Sequence, residues 1–292
     1  MSDFLEKREI GKTGLISSRI GLGSTFNAPA SAIEEAFDHG INYLYWGTVR
    51  QPEFAKAMRN LEKQHRDELI FTIQSYSPDP AEIEKEVTTQ LKVCGVQDFD
   101  FLLLGNRESK PSDEILEVFE SLKKKGIVKH LSISSHNRPL IPELMADYSR
   151  DESPYELLMF RYNPVHRGAE RDVFPYIPEG KRPTLLTYTS TRWGHLLDPS
   201  KMPEGEAPVS AKDCYRYALE KDFIDIVCVG PGSTEQMREA ISTLSSGPLD
   251  EEEKQRIEKI GEHLYSQYAP AYPDRGDEQD VTAGVAAGVA ST

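Results

Sequence analysis

The sequence predicts an α/β fold, a (β/α)8 barrel, in which one domain accounts for most of the chain. Eight short strand-like runs are spread along the chain, and several are continuously apolar, as expected for parallel strands buried on both faces. Amphipathic segments separate most of these runs, and alternating strands and helices form parallel sheets with right-handed crossovers. Eight such units favour closure into a barrel. An open doubly wound sheet is the rival fold, but no G-x-G-x-x-G follows the first strand.

The strand-like and helix-like segments alternate from residue 19 to residue 244. The strand-like runs lie at residues 19–23, 41–45, 69–74, 100–104, 129–134, 157–161, 184–188 and 224–229. The helix-like segments lie at residues 31–39, 53–61, 81–93, 113–125, 139–146, 211–220 and 234–244. Ser112 is a candidate N-cap for the helix that follows it. The link after the sixth strand has no clear helix signal.

The C-terminal part of the chain lies outside this repeat. After residue 249, the segment DEEEKQRIEKIGEHLYSQY predicts one extra amphipathic helix. Residues 269–292 are rich in Gly, Ala and Asp and nearly devoid of large apolar groups, which predicts a flexible tail. The predicted organisation is therefore a single barrel domain at 1–268 and a tail at 269–292.

Composition excludes several classes of function. The net charge of -14 opposes non-specific binding to a phosphate backbone, so we expect no nucleic-acid partner. No apolar run approaches the ~20 residues that a membrane helix needs, and the N-terminus lacks a signal-peptide core, so no membrane partner is expected. Cys94, Cys214 and Cys228 form no paired motif, which suits buried thiols in a reducing cytoplasm. The seven histidines are scattered, and no metal site is predicted.

Several motifs resemble the aldo-keto reductase family, and they occur in the family's order over about residues 8 to 245. REIGKTGLISSRIGLGSTFN at 8–27 resembles the family's opening, a β-hairpin that closes the barrel bottom ahead of the first strand. KKKGIVKHLSISSHN at 123–137, RYNPVHRGAERDVFPY at 161–176 and LLTYTSTRWGHLL at 185–197 resemble its later strands and loops. The resemblance implies the barrel fold and NAD(P)H-dependent reduction of an aldehyde or ketone.

The resemblance also implies a set of four catalytic positions. In the family, a tyrosine protonates the new alkoxide, a lysine paired with an aspartate lowers the tyrosine pKa, and a histidine orients the carbonyl. In this chain Tyr45 stands at the aspartate position, Arg50 at the tyrosine position, Gln74 at the lysine position and Gly105 at the histidine position. All four are substituted, so the usual proton relay is predicted to be absent.

The substituted residues leave several roles open. Tyr45 is either inward packing or a replacement phenol, and Tyr43, Tyr76 and Tyr188 are further phenols. Arg50 is an ion-paired loop residue, an anion ligand, or a charge that lowers a phenol pKa. Gln74 can donate a hydrogen bond but cannot activate a phenol by charge, and Gly105 leaves room. His136 and the loop residues His166 and Arg167 are candidates for contacts with a substrate.

Cofactor positions implied by the resemblance match unevenly. Ser134 and Ser135 stand where the family holds the nicotinamide carboxamide with Ser-Asn, and Met159 replaces a glutamine that assists. Tyr188 matches the aromatic ring that stacks on the nicotinamide. The loop that meets the pyrophosphate follows and contains Thr189, Ser190, Thr191, Arg192 and Trp193; hydroxyl and guanidinium groups suit phosphate.

The adenosine-phosphate position falls at Gly230, Gly232 and Gln236, where a Gly-Pro-Gly turn enters a helix whose N-terminus attracts anions. Arg238 is nearby, either as a surface charge or as a ligand of the 2'-phosphate. The cofactor therefore stays open between NADP, NAD and none.

Two functions remain open from the sequence. The first is an aldo-keto reductase-like oxidoreductase with altered or weak activity on a small-molecule carbonyl compound. The alternative is a non-catalytic barrel descendant that binds a ligand, a cofactor or a protein partner. Fold alone does not separate them, because this barrel hosts many functions.

Overall fold

Eight parallel strands close into a barrel in this computed structural model, which describes residues 4–268. The predicted fold class is thereby confirmed, and each predicted strand-like run coincides with a strand. The barrel strands are β3 (Ile20–Gly23), β4 (Tyr43–Trp46), β5 (Ile70–Ser75), β6 (Phe99–Leu104), β7 (Val128–Ser134), β8 (Tyr155–Arg161), β9 (Thr184–Tyr188) and β10 (Ile226–Val229). They pair in chain order, and β10 closes the barrel against β3.

A two-stranded hairpin precedes the barrel, as the sequence predicted. It consists of β1 (Arg8–Glu9) and β2 (Ile16–Ser17), which pair antiparallel. The turn between them lies against the amino-terminal ends of β8 and β9, because the Gly11 amide donates to Thr184 Oγ1 at 3.0 Å and the Lys12 amide donates to Glu156 Oε2 at 2.9 Å. Ile10 is fully buried with the side chains of the barrel interior. The hairpin therefore closes the bottom of the barrel.

Helices surround the strands and follow the predicted segments. They are α1 (Ala30–Asp38), α2 (Pro52–His65), α3 (Pro80–Cys94), α4 (Asp113–Lys124), α5 (Leu140–Ser149), α6 (Ala169–Asp172), α7 (Ala211–Leu219), α8 (Thr234–Thr243) and α9 (Glu251–Tyr268). The unclear link after β8 contains the short α6 and a 3-10 turn, Phe174–Tyr176. Ser112 occupies the N-cap position of α4, as predicted, but its side chain makes no capping hydrogen bond. Its hydroxyl pairs instead with Glu114 and lowers the pKa of that carboxyl group.

The core has an inner and an outer layer. The outer layer lies between strands and helices, and the inner layer fills the barrel with alternate strand residues, as in other barrels of this kind. The inner layer comprises Ile10, Tyr43, Ile70, Phe101, Leu103, Leu157, Met159, Leu186, Ile226 and Cys228. Tyr45 and Tyr188 pack on this layer from above, which places both at the mouth.

The extra helix predicted after residue 249 is α9, and it packs on the outside of the barrel. Glu258 and Glu262 on this helix approach the Arg167 guanidinium to 3.4 Å and 3.9 Å. Gly261 lies against the loop after β8 so closely that a Cβ there would be 2.2 Å from the Pro164 carbonyl oxygen. None of the helices described between residues 4 and 268 has the length and apolar character needed to cross a membrane. The predicted tail at 269–292 lies outside the described residues.

We expect Gly261→Ala to destabilise the protein by about 1–3 kcal/mol, because overpacking against backbone outweighs the better helix propensity of alanine. Urea unfolding followed by circular dichroism measures this change. Gly180→Ala is the matched control, since a Cβ at that exposed glycine meets nothing within 4 Å. Equal stability of the two variants would show that α9 does not pack as closely as described.

Candidate functional site

The carboxyl ends of the barrel strands meet at one mouth, where Gln74 lies at the centre of the substituted positions. Tyr45 and Gln74 stand near the ends of the neighbouring strands β4 and β5. The Tyr45 hydroxyl donates a hydrogen bond to Gln74 Oε1, and the Thr48 hydroxyl donates to the same oxygen at 3.2 Å. Gln74 is 3% exposed. Its side-chain oxygen is therefore occupied twice by its own neighbours.

Arg50 reaches Gln74 from the loop after β4. Its Nη2 donates to the Gln74 main-chain carbonyl at 2.9 Å and to Glu86 Oε1 at 3.0 Å. The other Glu86 oxygen accepts a hydrogen bond from the Ser75 hydroxyl at 2.7 Å. Of the roles that the sequence left open for Arg50, the structure therefore shows the ion pair. Glu86 was missed from the sequence, because nothing in the pattern of α3 distinguishes it from a surface carboxylate.

Gly105 follows β6 and completes the group. A Cβ at this position would lie 2.4 Å from Gln74 Nε2 and 2.7 Å from the Tyr76 ring. Glycine therefore leaves the room that these two side chains occupy. We call the following five residues the Gln74 cluster: Tyr45, Thr48, Arg50, Gln74 and Gly105.

The Gln74 cluster does not activate a phenol. Burial raises the pKa of Tyr45 well above 10, and the neighbouring Tyr76 and Cys228 raise it further. The Tyr45 hydroxyl donates to a neutral amide oxygen, which cannot stabilise a phenolate by charge. Arg50, the cationic residue of the cluster, is engaged by Glu86 in an ion pair. Tyr45 is therefore a protonated hydrogen-bond donor.

The residues expected at a nicotinamide carboxamide lie together at the ends of β7 and β8, where Ser134 pairs with Met159 in register. Ser134 Oγ accepts a hydrogen bond from the Asn106 amide at 2.8 Å. Ser135 Oγ donates to the Arg107 carbonyl at 2.6 Å. Met159 is buried in the inner core and offers no amide. Of these three residues, Ser134 keeps the hydroxyl best suited to a ligand.

Tyr188, the expected stacking ring, lies beside His136. Its hydroxyl oxygen is 3.0 Å from His136 Nε2, and the two ring centroids are 5.9 Å apart at an angle of 61°. Burial lowers the pKa of His136 to about 4, and the Arg161 and Arg138 guanidinium groups contribute to this shift. His136 is therefore neutral, and it forms a hydrogen bond with the Tyr188 hydroxyl.

The loop after β9 has a strained backbone. The φ angles of Thr189, Arg192 and Trp193 are 57°, 53° and 50°. These values lie in the left-handed region, which residues other than glycine rarely adopt. Asn163 Nδ2 donates to the Thr189 carbonyl at 2.9 Å and ties this loop to the loop after β8. Thr191 caps the turn, because its carbonyl accepts the Gly194 amide at 3.1 Å. Such strain is typical of loops shaped for a ligand.

Positive charge collects between these two loops. The Arg192 and Arg161 guanidinium carbons lie 4.5 Å and 6.0 Å from the centroid of the same Trp193 ring, and both arginines are buried. His166 is 5% exposed, and its Nε2 has no hydrogen-bond partner among residues 4–268. Ser190 is 3% exposed, and its Oγ also has no partner in this part of the chain. Burial lowers the pKa of His166 to about 2, and Arg161 and Arg192 contribute. We call the following five residues the cationic rim: Arg161, His166, Ser190, Arg192 and Trp193.

Arg161 is the member of the rim that sequence reasoning missed. It ends β8 two residues after Met159, and Leu157 and Met159 both point into the barrel. Side chains alternate between the two faces of a strand, so Arg161 points to the same face as Leu157 and Met159. A charged residue that follows two apolar, inward-facing residues on one strand was the sequence signal that could have identified Arg161 as a residue of the mouth.

The expected adenosine-phosphate site adopts a closed local arrangement. The Gly232 amide donates to Gln236 Oε1 at 2.7 Å, and the Phe26 side chain covers Gly230 and Gly232. Arg238 forms an exposed ion pair with Glu35 at 2.8 Å, so the structure shows it as a surface charge. Among residues 4–268, no three His, Cys, Asp or Glu side chains are grouped so that they could hold a metal ion.

Comparison with known proteins gives a consistent result. The family model described as "Aldo/keto reductase family" matches residues 19–196. The chain is similar to the uncharacterized oxidoreductase YqkF of Bacillus subtilis (strain 168), with 25% identity over 295 residues, which cover 85% of this chain and 94% of that protein. It is also similar to the solved holo and apo forms of the aldo-keto reductase AKR11C1 from Bacillus halodurans. For each form the sequence identity is 25% and the TM-score is 0.68, and the match covers 88% of this chain and 96% of the solved chain.

Proposed function

The chain belongs to the aldo/keto reductase family, and on that premise we propose that it binds NADPH or NADH at the barrel mouth and reduces a small carbonyl compound slowly. The family match carries the class of reaction, and the Gln74 cluster, in which a neutral amide takes the place of the family's lysine, carries the slow rate. The acidic net charge of -14 agrees with a small-molecule substrate and opposes a nucleic-acid partner. Three buried free cysteines are consistent with a reducing cytoplasm.

Several buried polar groups fit a dinucleotide. Ser190 Oγ has no partner within the described chain, and Arg192 stands two residues later in the same strained loop, so both suit a pyrophosphate. Ser134 can donate its hydroxyl proton to a carboxamide oxygen. The nicotinamide end fits less well, because Met159 offers no amide and the Tyr188 hydroxyl is held by His136. When bound, the cofactor supplies the hydride.

The protein's own residues provide no tuned acid for the new alkoxide. Tyr45 stays protonated, and its hydroxyl points at Gln74. Arg50 carries the only charge in the Gln74 cluster, and Glu86 neutralises it. Positioned acid–base groups contribute about 10²–10⁴-fold to rate, so their loss slows the reduction by that order without abolishing it.

A second candidate is a non-catalytic descendant that binds a ligand, a cofactor or a protein partner. The closed arrangement of the Gln74 cluster favours it, because Tyr45, Thr48 and Arg50 all direct hydrogen bonds at Gln74 and none at the open mouth. Under this alternative no carbonyl compound is reduced, whether or not the cofactor binds.

Titration with NADPH and with NADH, followed by cofactor fluorescence, tests the proposal. We expect binding of at least one cofactor, and we expect Arg192→Gln to weaken it about tenfold, the loss typical of one charge-assisted contact. Arg238→Gln is the matched control, because Arg238 is paired with Glu35 on the surface. If this control weakens NADPH binding but not NADH binding, Arg238 reads the 2'-phosphate and the cofactor is NADP.

Incubation with a panel of aldehydes then separates the two candidate functions. Turnover is measured as the loss of absorbance of the reduced nicotinamide. Slow turnover supports the oxidoreductase, and tight binding without turnover supports the descendant. Absence of binding for both cofactors would contradict the first candidate outright.

A further inference from the structure

The first turn of α8, which follows the Gly-Pro-Gly turn, is already complemented by the chain's own side chains. The Gly232 amide donates to Gln236 Oε1 at 2.7 Å, and the Gln236 amide donates to Ser233 Oγ at 3.2 Å. Hydrogen bonds from its own main-chain amide and from the Ser233 hydroxyl lower the pKa of the Glu235 carboxyl group. These oxygens occupy N–H donors, and balance partial positive charge, that a helix start otherwise offers to an external anion.

The cation of this helix is also neutralised. Arg238 is the one cationic residue of α8, and the two oxygens of Glu35 on α1 accept hydrogen bonds from its guanidinium at 2.8 Å and 3.2 Å. This contact lowers the pKa of Glu35, so the carboxylate stays charged at neutral pH. Two carboxylates, Glu35 and Glu235, therefore stand against one guanidinium, and their repulsion opposes a further anionic group beside them.

Gln236 Oε1 distinguishes a hydroxyl from a phosphate by its role in hydrogen bonding. An amide oxygen has two lone pairs, and the Gly232 amide uses one of them. A hydroxyl group can donate its proton to the other. A dianionic phosphate has only acceptor oxygens, so it offers this oxygen no proton. The Gln236 side chain is exposed, and a ligand can therefore reach it without any change in the helix.

Phe26 suits an adenine ring better than a phosphate. Its side chain packs on the Gly-Pro-Gly turn, where a Cβ at Gly230 would lie 3.0 Å from Phe26 Cδ2 and a Cβ at Gly232 would lie 3.4 Å from Phe26 Cβ. The side chain is 53% exposed. An aromatic ring can stack on a base but gives a phosphate neither a charge nor an N–H or O–H donor.

We propose that Gln236 is a specificity-determining residue that selects NADH over NADPH, with the ribose 2'-hydroxyl donating to its amide oxygen. NADH carries a hydroxyl at the 2' position where NADPH carries a phosphate, and the two cofactors are otherwise identical. This selection rests on the proposed function, because it takes effect only when the adenosine end of the cofactor lies at the Gly-Pro-Gly turn. The phosphate displaces no water or ion that would offset its repulsion from Glu35 and Glu235.

Dissociation constants of the full chain for NADH and for NADPH, measured by cofactor fluorescence, test this selection without any turnover. We expect the unaltered chain to bind NADH about tenfold more tightly than NADPH, the effect typical of one charge-assisted contact. Gln236→Lys should raise the affinity for NADPH about tenfold and leave the affinity for NADH within about threefold. Gln64→Lys is the matched control, because it adds the same charge at an exposed glutamine near the end of α2, where the chain returns to the bottom of the barrel.

A second variant tests the ion pair on its own. Glu35→Gln removes one of the two carboxylates and releases the Arg238 guanidinium, so it should raise the affinity for NADPH about threefold, in keeping with the small energy of an exposed pair. The affinity for NADH should not change. Glu34→Gln is the control on the same helix, since the Glu34 carboxylate accepts from Asn60 of α2 and not from α8.

Equal affinities of the unaltered chain for the two cofactors, or tighter binding of NADPH, would overturn the selection and leave the proposed oxidoreductase in place. A preference for NADH that Gln236→Lys does not alter would overturn the role of Gln236. The same gain in NADPH affinity from Gln64→Lys would overturn it too, because net charge would then account for the effect. If neither cofactor binds, the proposed function fails, and the selection fails with it.

Discussion

Restoring the family's four catalytic residues should raise the rate of carbonyl reduction by about 10²–10⁴-fold. The variant carries Tyr45→Asp, Arg50→Tyr, Gln74→Lys and Gly105→His. The increase is measured as kcat for an aldehyde at saturating NADPH. The expected gain equals the usual contribution of positioned acid–base groups, because these positions are where the family places its proton relay.

The geometry of the Gln74 cluster explains why all four changes are needed together. Gln74 contacts each of the other three positions, through its amide oxygen, its main-chain carbonyl or its amide nitrogen. A histidine at position 105 alone would collide with Gln74 Nε2 and the Tyr76 ring, whose nearest atoms lie 2.4 Å and 2.7 Å from its Cβ. Gly105→His by itself should therefore lower stability and leave kcat unchanged.

The electrostatic change in the fourfold variant also favours proton transfer from the phenol. A lysine at position 74 places an ammonium where a neutral amide now accepts the Tyr45 hydroxyl, and a nearby ammonium lowers the pKa of a phenol. Loss of Arg50 leaves Glu86 without its ion pair. Its side chain is 31% exposed and still accepts from Ser75, so this cost is small.

A control differs from this variant by a single oxygen atom. It carries Arg50→Phe in place of Arg50→Tyr, with the other three changes retained, and should show no increase in kcat. If the fourfold variant binds NADPH as the unaltered chain does and yet shows no gain over this control, the barrel has lost more than its proton relay.

The fold could be predicted because its signals are local. Continuous apolar runs and amphipathic segments specify buried strands and covering helices, and their alternation specifies the barrel. Neighbouring strand ends must meet at the mouth, so contact between Tyr45 and Gln74 followed from the order of the strands. The extra helix was visible for the same reason, as a periodic segment after the last strand.

The hydrogen-bond partners within the site could not be predicted in the same way. Glu86 pairs with Arg50 across two elements, and nothing in the sequence of α3 specifies which carboxylate faces the mouth. The contact between His136 and Tyr188 depends on side-chain directions at two different strand ends. Such contacts are set by tertiary packing, which period and composition do not encode.

The buried histidines should make the protein sensitive to acid. His136 and His166 are neutral in the folded chain, where burial and nearby guanidinium groups lower their pKa values to about 4 and about 2. In the unfolded chain a histidine titrates near 6.5. Between pH 6.5 and pH 4 the unfolded state therefore binds protons at both positions that the folded state does not bind.

The sign of the effect follows from proton linkage. Because the unfolded state binds more protons in this range, the free energy of unfolding falls as the pH falls. Each histidine contributes up to about 1.4 kcal/mol per pH unit, so the two together could remove up to about 5 kcal/mol between pH 6.5 and pH 4.5. Below pH 4, where His136 also becomes protonated in the folded chain, the His166 contribution continues.

Urea unfolding at a series of pH values measures this slope. We expect His136→Gln combined with His166→Gln to flatten it, whatever the stability of the variant at pH 7. The same substitution at exposed His39 controls for the loss of a histidine as such. If the double variant keeps the full slope between pH 6.5 and pH 4.5, the acid sensitivity arises from carboxylates elsewhere in the barrel, and the two histidines are not held neutral at the mouth.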